Sequence, residues 1–294
     1  MAAEHVALLG PGKMGAPMGQ NLIKAGHLLT VWARRPESAA SLVDAGASYQ
    51  PVPRELASND VIIDMLQDLT QLEPLLTGPD GLLAGVTEPT LLVVSSTVAP
   101  QDVRTLAARV DRETNGLLSV VDAPVSGGEA GAQSGTLSIM VGGDEDDVAQ
   151  AIPVLQACGT PVHCGPLGAG EVVKACNQMV VGITMAALAE AALIAEGAGV
   201  DVGLMFQMLS KGWGASAVLN AKHRKVIDRD YSNTGAAKFM VKDLKIALSE
   251  AAQASRTLPL STEALTIYQG LVEAGLGDDD LAVVHKYLAE QTAD

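Results

Sequence analysis

The chain has 294 residues, 48% of them hydrophobic and 18% charged, so it is long enough for one large globular domain or two ordinary ones. Its formal net charge of −15 argues against nucleic acid and an anionic membrane surface as partners, because both need clustered Lys and Arg. Cys158, Cys164 and Cys176 lack metal-ligand spacing. They predict free thiols in a reducing compartment, so we expect no metal site and a cytoplasmic location.

The N-terminal residues predict a strand, a glycine-rich turn, a helix and a second strand. His5–Leu9 and Leu28–Ala33 are the apolar runs read as strands, and the pattern G-x-G-x-x-G lies between them. Its glycines permit a tight turn, the approach of a pyrophosphate and close helix packing, and the helix N-terminus attracts phosphate. A turn without a ligand is the alternative. The βαβ context favours dinucleotide binding by Gly10, Pro11, Gly12, Lys13, Met14 and Gly15.

The residues after the second strand bear on the choice of dinucleotide. NAD sites usually place Asp or Glu there to hold the ribose 2′-hydroxyl, whereas arginine accommodates a 2′-phosphate. Here Ala33 is followed by Arg34 and Arg35. We therefore predict that NADP(H) is preferred and that NAD(H) is possible. The alternative is that both arginines are solvated loop residues.

Two further predicted strands, Val61–Leu66 and Leu91–Thr97, continue the α/β alternation. The carboxyl ends of strands in a doubly wound sheet face the ligand crevice. Met65, Leu66 and Thr97 are therefore predicted to lie along the cofactor, although each could simply end its strand.

A glycine-rich bend follows between two strand-like pieces. Ser126, Gly127 and Gly128 offer a hydroxyl and consecutive backbone N–H groups, and such a nest suits a carboxylate. An ordinary loop with glycines at positive φ is the alternative.

A lysine stands inside a long apolar helix predicted over about residues 171–197. A charge there is costly unless it is paired or unless the site needs a lysine that can lose its proton. We therefore predict that Lys174 is a catalytic acid/base. Asn177 and Gln178 follow at i+3 and i+4 and share its side of the helix. They are the predicted amide partners of a substrate.

The helix also bears on the domain organisation. Glu190 and Glu196 interrupt its apolar run, which favours a buried helix over a membrane span. No strand is predicted after Val202. The expected fold class is therefore α/β, with a Rossmann-like doubly wound sheet domain (1–166) joined by the long helix to an all-α domain (167–294). The apolar helix surface predicts a homo-oligomer.

Together the motifs resemble the β-hydroxyacid dehydrogenases, the 3-hydroxyisobutyrate dehydrogenase family, over essentially the whole chain. The matching pieces are Gly10–Met18, Asp122–Gly128, Gly135–Gly143, Gly168–Lys174 and Lys242–Leu244. The resemblance implies an NAD(P)-dependent oxidoreductase that acts on a small carboxylate-bearing aldehyde or hydroxy acid, as a homodimer or homotetramer.

The resemblance also implies roles for individual residues. Lys174 would be the catalytic lysine, and Ser126, Gly127 and Gly128 would hold the substrate carboxylate. An amide at Gln178 would orient the substrate, Lys242 would approach the cofactor, and Asp243 would shape the site.

One departure from the family pattern narrows the substrate. Many members read Lys-x-x-Asn-Asn, whereas Gln178 replaces the second Asn here. This is similar to the tartronate semialdehyde reductase branch, as are Gly214–Leu219 and Leu258–Leu260. The expected reaction is tartronate semialdehyde to glycerate. 3-Hydroxyisobutyrate, L-threonate and sulfolactaldehyde stay open as alternatives.

Two other classes of function compete with this expectation. A non-catalytic dinucleotide-binding module would not need Lys174, and imine reductases of this architecture usually lack that lysine. Its presence argues against both.

Overall fold

The structure is a computed structural model that describes residues 4–291 of the chain. By its internal contacts the chain divides inside one long helix, between Lys174 and Ala175, into two units. Each unit has a hydrophobic core of its own.

The first unit is built on a nine-stranded sheet. In chain order its strands are β1 (His5–Leu9), β2 (Leu28–Trp32), β3 (Ser48–Tyr49), β4 (Val61–Asp64), β5 (Thr90–Val94), β6 (Leu118–Asp122), β7 (Val125–Ser126), β8 (Leu137–Gly142) and β9 (Gly159–Gly165).

The strand order β3-β2-β1-β4-β5-β6 is parallel throughout. Beyond β6, β8 runs antiparallel to both β6 and β7, and β9 joins β8 in parallel. The direction in which successive strands are added to the sheet reverses between β1 and β4. In doubly wound sheets, ligands bind at this reversal, outside the carboxyl ends of the strands. The glycine-rich turn after β1 therefore starts at the predicted ligand crevice.

Alternate residues of β1 enter the cores on opposite faces of the sheet. Val6 and Leu8 belong to one core, and Ala7 and Leu9 belong to the other. Burial on both faces is why these strands read as continuous apolar runs in the sequence. Helices cover both faces.

Among residues 4–174, seven helices belong to the first unit alone. They are α1 (Gly15–Lys24), α2 (Ala40–Asp44), α3 (Leu69–Leu76), α4 (Leu82–Gly85), α5 (Pro100–Thr114), α6 (Gly128–Ser134) and α7 (Glu145–Leu155). Short 3₁₀ helices lie at Pro36–Ala39 and Pro53–Ser58.

Three predicted strands are too long at their carboxyl ends. The strand predicted to Leu66 ends at Asp64, the one predicted to Thr97 ends at Val94, and the one predicted to Ala33 ends at Trp32. Apolar residues continue past the first end, but Asp64 accepts a hydrogen bond from the Leu66 amide and turns the chain. Met65, Leu66 and Thr97 therefore lie in connecting loops rather than in strands.

The long helix α8 spans Ala169–Gly197, two residues longer at its start than predicted. Within the described residues it is the one helix whose length and composition would allow a membrane crossing, a test that core helices of soluble proteins also pass. Met185, Leu188, Ala189 and Ala192 of this helix belong to the core of the second unit. These four apolar side chains thus pack against protein.

The second unit is helical, as predicted. After α8 come α9 (Val202–Leu209), α10 (Ala217–Ile227), α11 (Lys238–Gln253), α12 (Pro259–Glu273) and α13 (Val284–Gln291), with a 3₁₀ turn at Leu281–Val283. Asp201 and Ser216 cap α9 and α10 by accepting hydrogen bonds from backbone amides. In the described part of this unit, β structure is limited to one bridge, between Ala236 and Asp280. The predicted fold class is therefore confirmed.

Candidate active site

The glycine-rich turn requires glycine for steric reasons. Gly10 has φ +89°, and a Cβ there would lie 2.9 Å from the carbonyl oxygen of Met65. A Cβ on Gly15 would meet the carbonyl oxygen of Gly10. These two glycines let the chain turn tightly from β1 into α1.

Gly12 differs from its neighbours because a Cβ there would meet no atom within 4 Å. Helix α1 begins three residues later and has no side-chain cap on its N-terminus. Open space beside Gly12 and uncapped N–H groups are what the pyrophosphate of a dinucleotide needs. The residues present therefore fit the pyrophosphate of a dinucleotide.

The other predicted cofactor residues surround this turn or follow neighbouring strands. Pro11 is buried, Lys13 is exposed, and Met14 is the N-cap residue of α1. Met65 and Leu66 border Gly10, since a Cβ on that glycine would lie 3.0 Å from Leu66 Cδ2. Thr97 is half-buried, between the end of β5 and the start of α5.

Arg34 and Arg35 are both exposed, directly after β2 and before a 3₁₀ helix. Their exposure fits either prediction made for them, a contact with a 2′-phosphate or a solvated loop. The neighbouring Ala33 carbonyl is held by the Tyr49 hydroxyl, at 3.3 Å.

Asp64 is a residue of this region that the sequence did not reveal. It is the last residue of β4 and is fully buried. Its Oδ1 accepts the Leu66 amide at 3.0 Å, and its Oδ2 accepts the Ser96 hydroxyl at 3.2 Å. Burial raises the pKa of Asp64 to about 7, and the two hydrogen bonds oppose that rise. The only signal in the sequence was an acid at the end of an apolar run.

The predicted carboxylate nest lies at the end of β7. Ser126 is half-buried, and Gly127 and Gly128 are exposed. Both glycines have positive φ, at +137° and +61°, and a Cβ on Gly128 would meet nothing within 4 Å. There is thus room beside the backbone for a ligand, and the nest stays a prediction.

Lys174 is buried, with 7% of its surface exposed, and its Nζ donates to the carbonyl oxygen of Val125 at 2.7 Å. Val125 immediately precedes Ser126. Lys174 Nζ is thus held one residue before Ser126, the first residue predicted to bind the substrate carboxylate. This hydrogen bond gives the buried amine a polar partner, which lowers the cost of burying it.

Two buried acids near the start of α8 were missed in the sequence. Glu171 is fully buried, three residues before Lys174 and on the same side of the helix. Asp122, at the end of β6, accepts hydrogen bonds from the backbone amides of Gly168 and Glu171. Only the motif Asp122–Gly128 pointed to Asp122, and nothing in the sequence indicated its partners.

The second unit contains a polar chain formed by the other predicted residues. Asn177 Nδ2 donates to Gln178 Oε1 at 3.0 Å, and Gln178 Nε2 donates to Asp243 Oδ2 at 2.6 Å. Lys242 Nζ lies 4.0 Å from Asp243 Oδ1. Asp243 is buried, so Lys242 and Asp243 do not form an exposed pair on the surface of α11. The hydrogen bonds with Asn177 and Asp243 hold the amide of Gln178 in one orientation.

These features can support hydride and proton chemistry. The first unit offers the predicted dinucleotide-binding turn, a buried lysine amine that donates to the carbonyl of Val125, and the predicted carboxylate nest that follows Val125 in the chain. Such a set can hold a carboxylate and exchange a proton with an oxygen near it.

Comparison with known proteins connects both units to one group of enzymes. The family model described as the NAD binding domain of 6-phosphogluconate dehydrogenase matches residues 5–168. The model described as NAD-binding of NADP-dependent 3-hydroxyisobutyrate dehydrogenase matches residues 168–288.

Individual relatives extend over nearly the whole chain. It is 38% identical to the NAD-dependent L-serine dehydrogenase of Pseudomonas aeruginosa, covering 96% of this chain and 97% of that protein. It is 36% identical to the 3-hydroxyisobutyrate dehydrogenase of the same species, with 90% of each covered. The structure of Mycobacterium tuberculosis 3-hydroxyisobutyrate dehydrogenase with L-serine matches with a TM-score of 0.85 and 31% identity, over 98% of this chain and 99% of that one.

Proposed function

Because the chain belongs to the β-hydroxyacid dehydrogenase family, whose members are oxidoreductases acting on CH–OH groups, we propose that it is an NADP(H)-preferring reductase of tartronate semialdehyde. The product is glycerate, and the reaction is reversible in principle. The observation that carries the proposal is the hydrogen bond of 2.7 Å from Lys174 to Val125, one residue before Ser126.

Lys174 acts as the proton donor in the reductive direction. A nicotinamide dinucleotide held at Gly10–Gly15 would supply the hydride for the aldehyde carbon. As the carbonyl oxygen becomes an alkoxide, Lys174 Nζ gives it a proton, and in the oxidative direction neutral Lys174 takes that proton back. The Val125 carbonyl keeps Nζ in place between turnovers.

Ser126, Gly127 and Gly128 bind the substrate carboxylate in this proposal. Their hydroxyl and backbone N–H groups orient the acid, so that its reacting carbon has a defined position relative to Lys174. Positioning of this kind supplies several kcal/mol of the reduction in the barrier. Gly10–Gly15, Met65, Leu66 and Thr97 hold the dinucleotide.

Gln178 supports the choice of tartronate semialdehyde. This substrate carries a hydroxyl group on the carbon next to the carboxylate, and an amide can hydrogen-bond to it. The bond from Gln178 to Asp243 fixes which way the amide points. Asn177 and Asp243 complete this polar chain, and Lys242 is assigned to the cofactor.

Oxidation of L-serine is the second candidate. It is favoured by the similarity to an enzyme named for that activity and to a structure named for its complex with L-serine. L-serine is also a short 3-hydroxy acid, but it carries an ammonium group where glycerate has a hydroxyl. A buried carboxylate such as Asp243 could accept a hydrogen bond from either group.

The preference for NADP(H) is supported by Arg34 and Arg35, which follow β2 without an intervening carboxylate. Replacing both with Ala should raise the KM for NADPH by about 10-fold or more and change that for NADH little. Arg112→Ala, at an exposed position of α5, is the control. A wild-type kcat/KM that is clearly higher with NADH than with NADPH would overturn the preference.

Oligomerisation is also part of the proposal. Ile194 and Trp213 of the second unit are exposed to 73% and 106%, and other large apolar side chains are exposed on α9. Exposed apolar surface of this kind favours a homodimer or homotetramer. Light scattering coupled to gel filtration measures the mass.

The substrate and the role of Lys174 are tested together. We would measure kcat/KM for tartronate, methylmalonate and succinate semialdehydes, and for L-serine oxidation, with both cofactors. The highest value is expected for tartronate semialdehyde with NADPH; a higher one for L-serine would favour the second candidate. Lys174→Ala should lose most of kcat and keep its affinity for NADPH, while Lys245→Ala, at an exposed site, should match the wild type. Normal turnover by Lys174→Ala would refute the mechanism.

A further inference from the structure

Asp122 ends β6 and is completely buried. Its Oδ1 accepts the amide of Gly168 at 2.6 Å, and its Oδ2 accepts the amide of Glu171 at 2.7 Å. Helix α8 begins between these two donors, at Ala169. The first N–H groups of a helix have no partner within the helix, so this one carboxylate uses both of its oxygens to hold the start of α8.

The surroundings of Asp122 leave space for its carboxylate and for little else. A Cβ on Gly142, the cross-strand partner of Asp122 on β8, would meet its Oδ1. A Cβ on Gly170 would lie 2.8 Å from Oδ2. Arg104 secures the preceding residue by donating from Nε to the carbonyl of Leu167 at 3.0 Å. The contact is thus built from β6, β8, α5 and the loop that enters α8.

Burial and hydrogen bonding act in opposite directions on the carboxylate of Asp122. Burial raises the pKa of Asp122, while the two amide hydrogen bonds and the positive charge of Arg104 oppose that rise. The amides at a helix N-terminus favour a negative charge on their acceptor.

The same short segment holds α8 a second time. Three residues after Asp122, the carbonyl of Val125 accepts the hydrogen bond from Lys174 Nζ. The first attachment is made to the backbone at the start of α8, and the second to a side chain between one and two turns further on. Two attachments at different heights set both the axial position and the rotation of this part of the helix.

We propose that Asp122 is a positioning residue for proton transfer, which holds the start of α8 so that Lys174 Nζ stays on the Val125 carbonyl beside Ser126. This inference rests on the proposed role of Lys174 as proton donor. It assigns to Asp122 no contact with substrate or cofactor.

Asp122→Asn tests the inference, because an amide has one acceptor oxygen where the carboxylate has two. One of the two helix amides must then face an NH₂ group, and the start of α8 shifts. We expect kcat to fall by about 100-fold, as a misplacement of about 1 Å can cause. KM and the Kd for NADPH should stay within about threefold of the wild type. The substrate is whichever of tartronate semialdehyde, 3-hydroxyisobutyrate and L-serine the wild type turns over with the highest kcat/KM.

The ratio of kcat in H₂O to kcat in D₂O separates positioning from simple loss of folding. If Lys174 is misplaced, proton transfer slows and this ratio rises. A partly unfolded enzyme would show a lower kcat with the wild-type ratio. Asp201→Asn removes the capping carboxylate of α9 in the same way and should leave both quantities unchanged.

Gly142→Ala is the second variant, for the case in which Asp122→Asn does not fold. It keeps every charge and donor, but its methyl group would displace the Asp122 carboxylate and lie 2.9 Å from the amide nitrogens of Ala169 and Gly170. The same fall in kcat and the same rise in the isotope ratio are expected.

Wild-type kcat in both folded variants would overturn the positioning role, as would a fall in kcat with an unchanged isotope ratio. Failure of the proposed function gives a different result, because Lys174→Ala would then keep its turnover.

Discussion

The hydroxyl group of Ser96 donates to Asp64 Oδ2 at 3.2 Å, joining the carboxyl ends of the adjacent strands β4 and β5. Asp64 is fully buried, and burial raises its pKa to about 7. The next residue, Met65, borders Gly10 of the glycine-rich turn. A carboxyl group beside the predicted cofactor site therefore changes its charge near neutral pH.

The first prediction is that Asp64 makes stability depend on pH. Its pKa is about 7 in the folded state and 3.8 at its ordinary value, so between these pH values the folded state binds more protons than the unfolded state. Stability should then fall as the pH rises through that range, by on the order of 4 kcal/mol in total. Above about pH 7, no further stability is lost through Asp64.

Asp64→Asn should remove this dependence. The amide oxygen can still accept the Leu66 amide, and the NH₂ group can donate to the Ser96 hydroxyl. We expect the variant to raise Tm at pH 8 and to change it little near pH 4, where Asp64 is already neutral. Asp44→Asn, at an exposed position, is the control. Equal changes in Tm at both pH values would contradict the prediction.

The second prediction contrasts two glycines of one turn. Gly12→Ala should fold as well as the wild type, because its methyl group meets no protein atom within 4 Å, but that group occupies the space assigned to the pyrophosphate. Gly10→Ala should lower Tm even without cofactor, because φ is +89° and Met65 is too close. Thermal unfolding and NADPH titration of both variants measure the contrast. An unchanged NADPH affinity in Gly12→Ala would argue against binding at this turn.

The third prediction concerns Gln178. Asn is one methylene shorter, so Gln178→Asn should break the bond of 2.6 Å to Asp243 and free the amide to reorient. We expect kcat/KM for tartronate semialdehyde to fall by about 10-fold relative to methylmalonate semialdehyde, which has no hydroxyl group to lose a partner. Gln253→Asn, exposed at the end of α11, is the matched control. A parallel fall for both substrates would mean that Gln178 does not select between them.

The sequence predicted strands and helices well where a single physical effect, such as burial, determines the residue pattern. Burial on both faces made β1 a continuous apolar run, and the G-x-G-x-x-G turn marked the start of α1. Lys174 was identifiable because a charge in an apolar helix is costly. The strand ends were less predictable, since Met65 and Leu66 continue the apolar run beyond the hydrogen bond that turns the chain at Asp64.

Contacts over long sequence distances were not predictable from the chain alone. Asp122 and Gly168 are separated by 46 residues, and Gln178 and Asp243 by 65. Each pair forms only when separate elements pack, and neither partner has a spacing that points to the other. The sequence therefore revealed which side chains were unusual, but not which groups hold them.

The hydrogen bond from Lys174 to Val125 also bears on the length of the substrate. Val125 and Ser126 are neighbours in β7, so the carbonyl that accepts from Lys174 Nζ and the first residue of the predicted carboxylate nest are one strand residue apart, about 3.3 Å along the backbone. This spacing is set by the backbone of the strand, so a side-chain substitution does not lengthen it. Acceptance of an acid with a longer carbon chain would then require an insertion between Pro124 and Gly127.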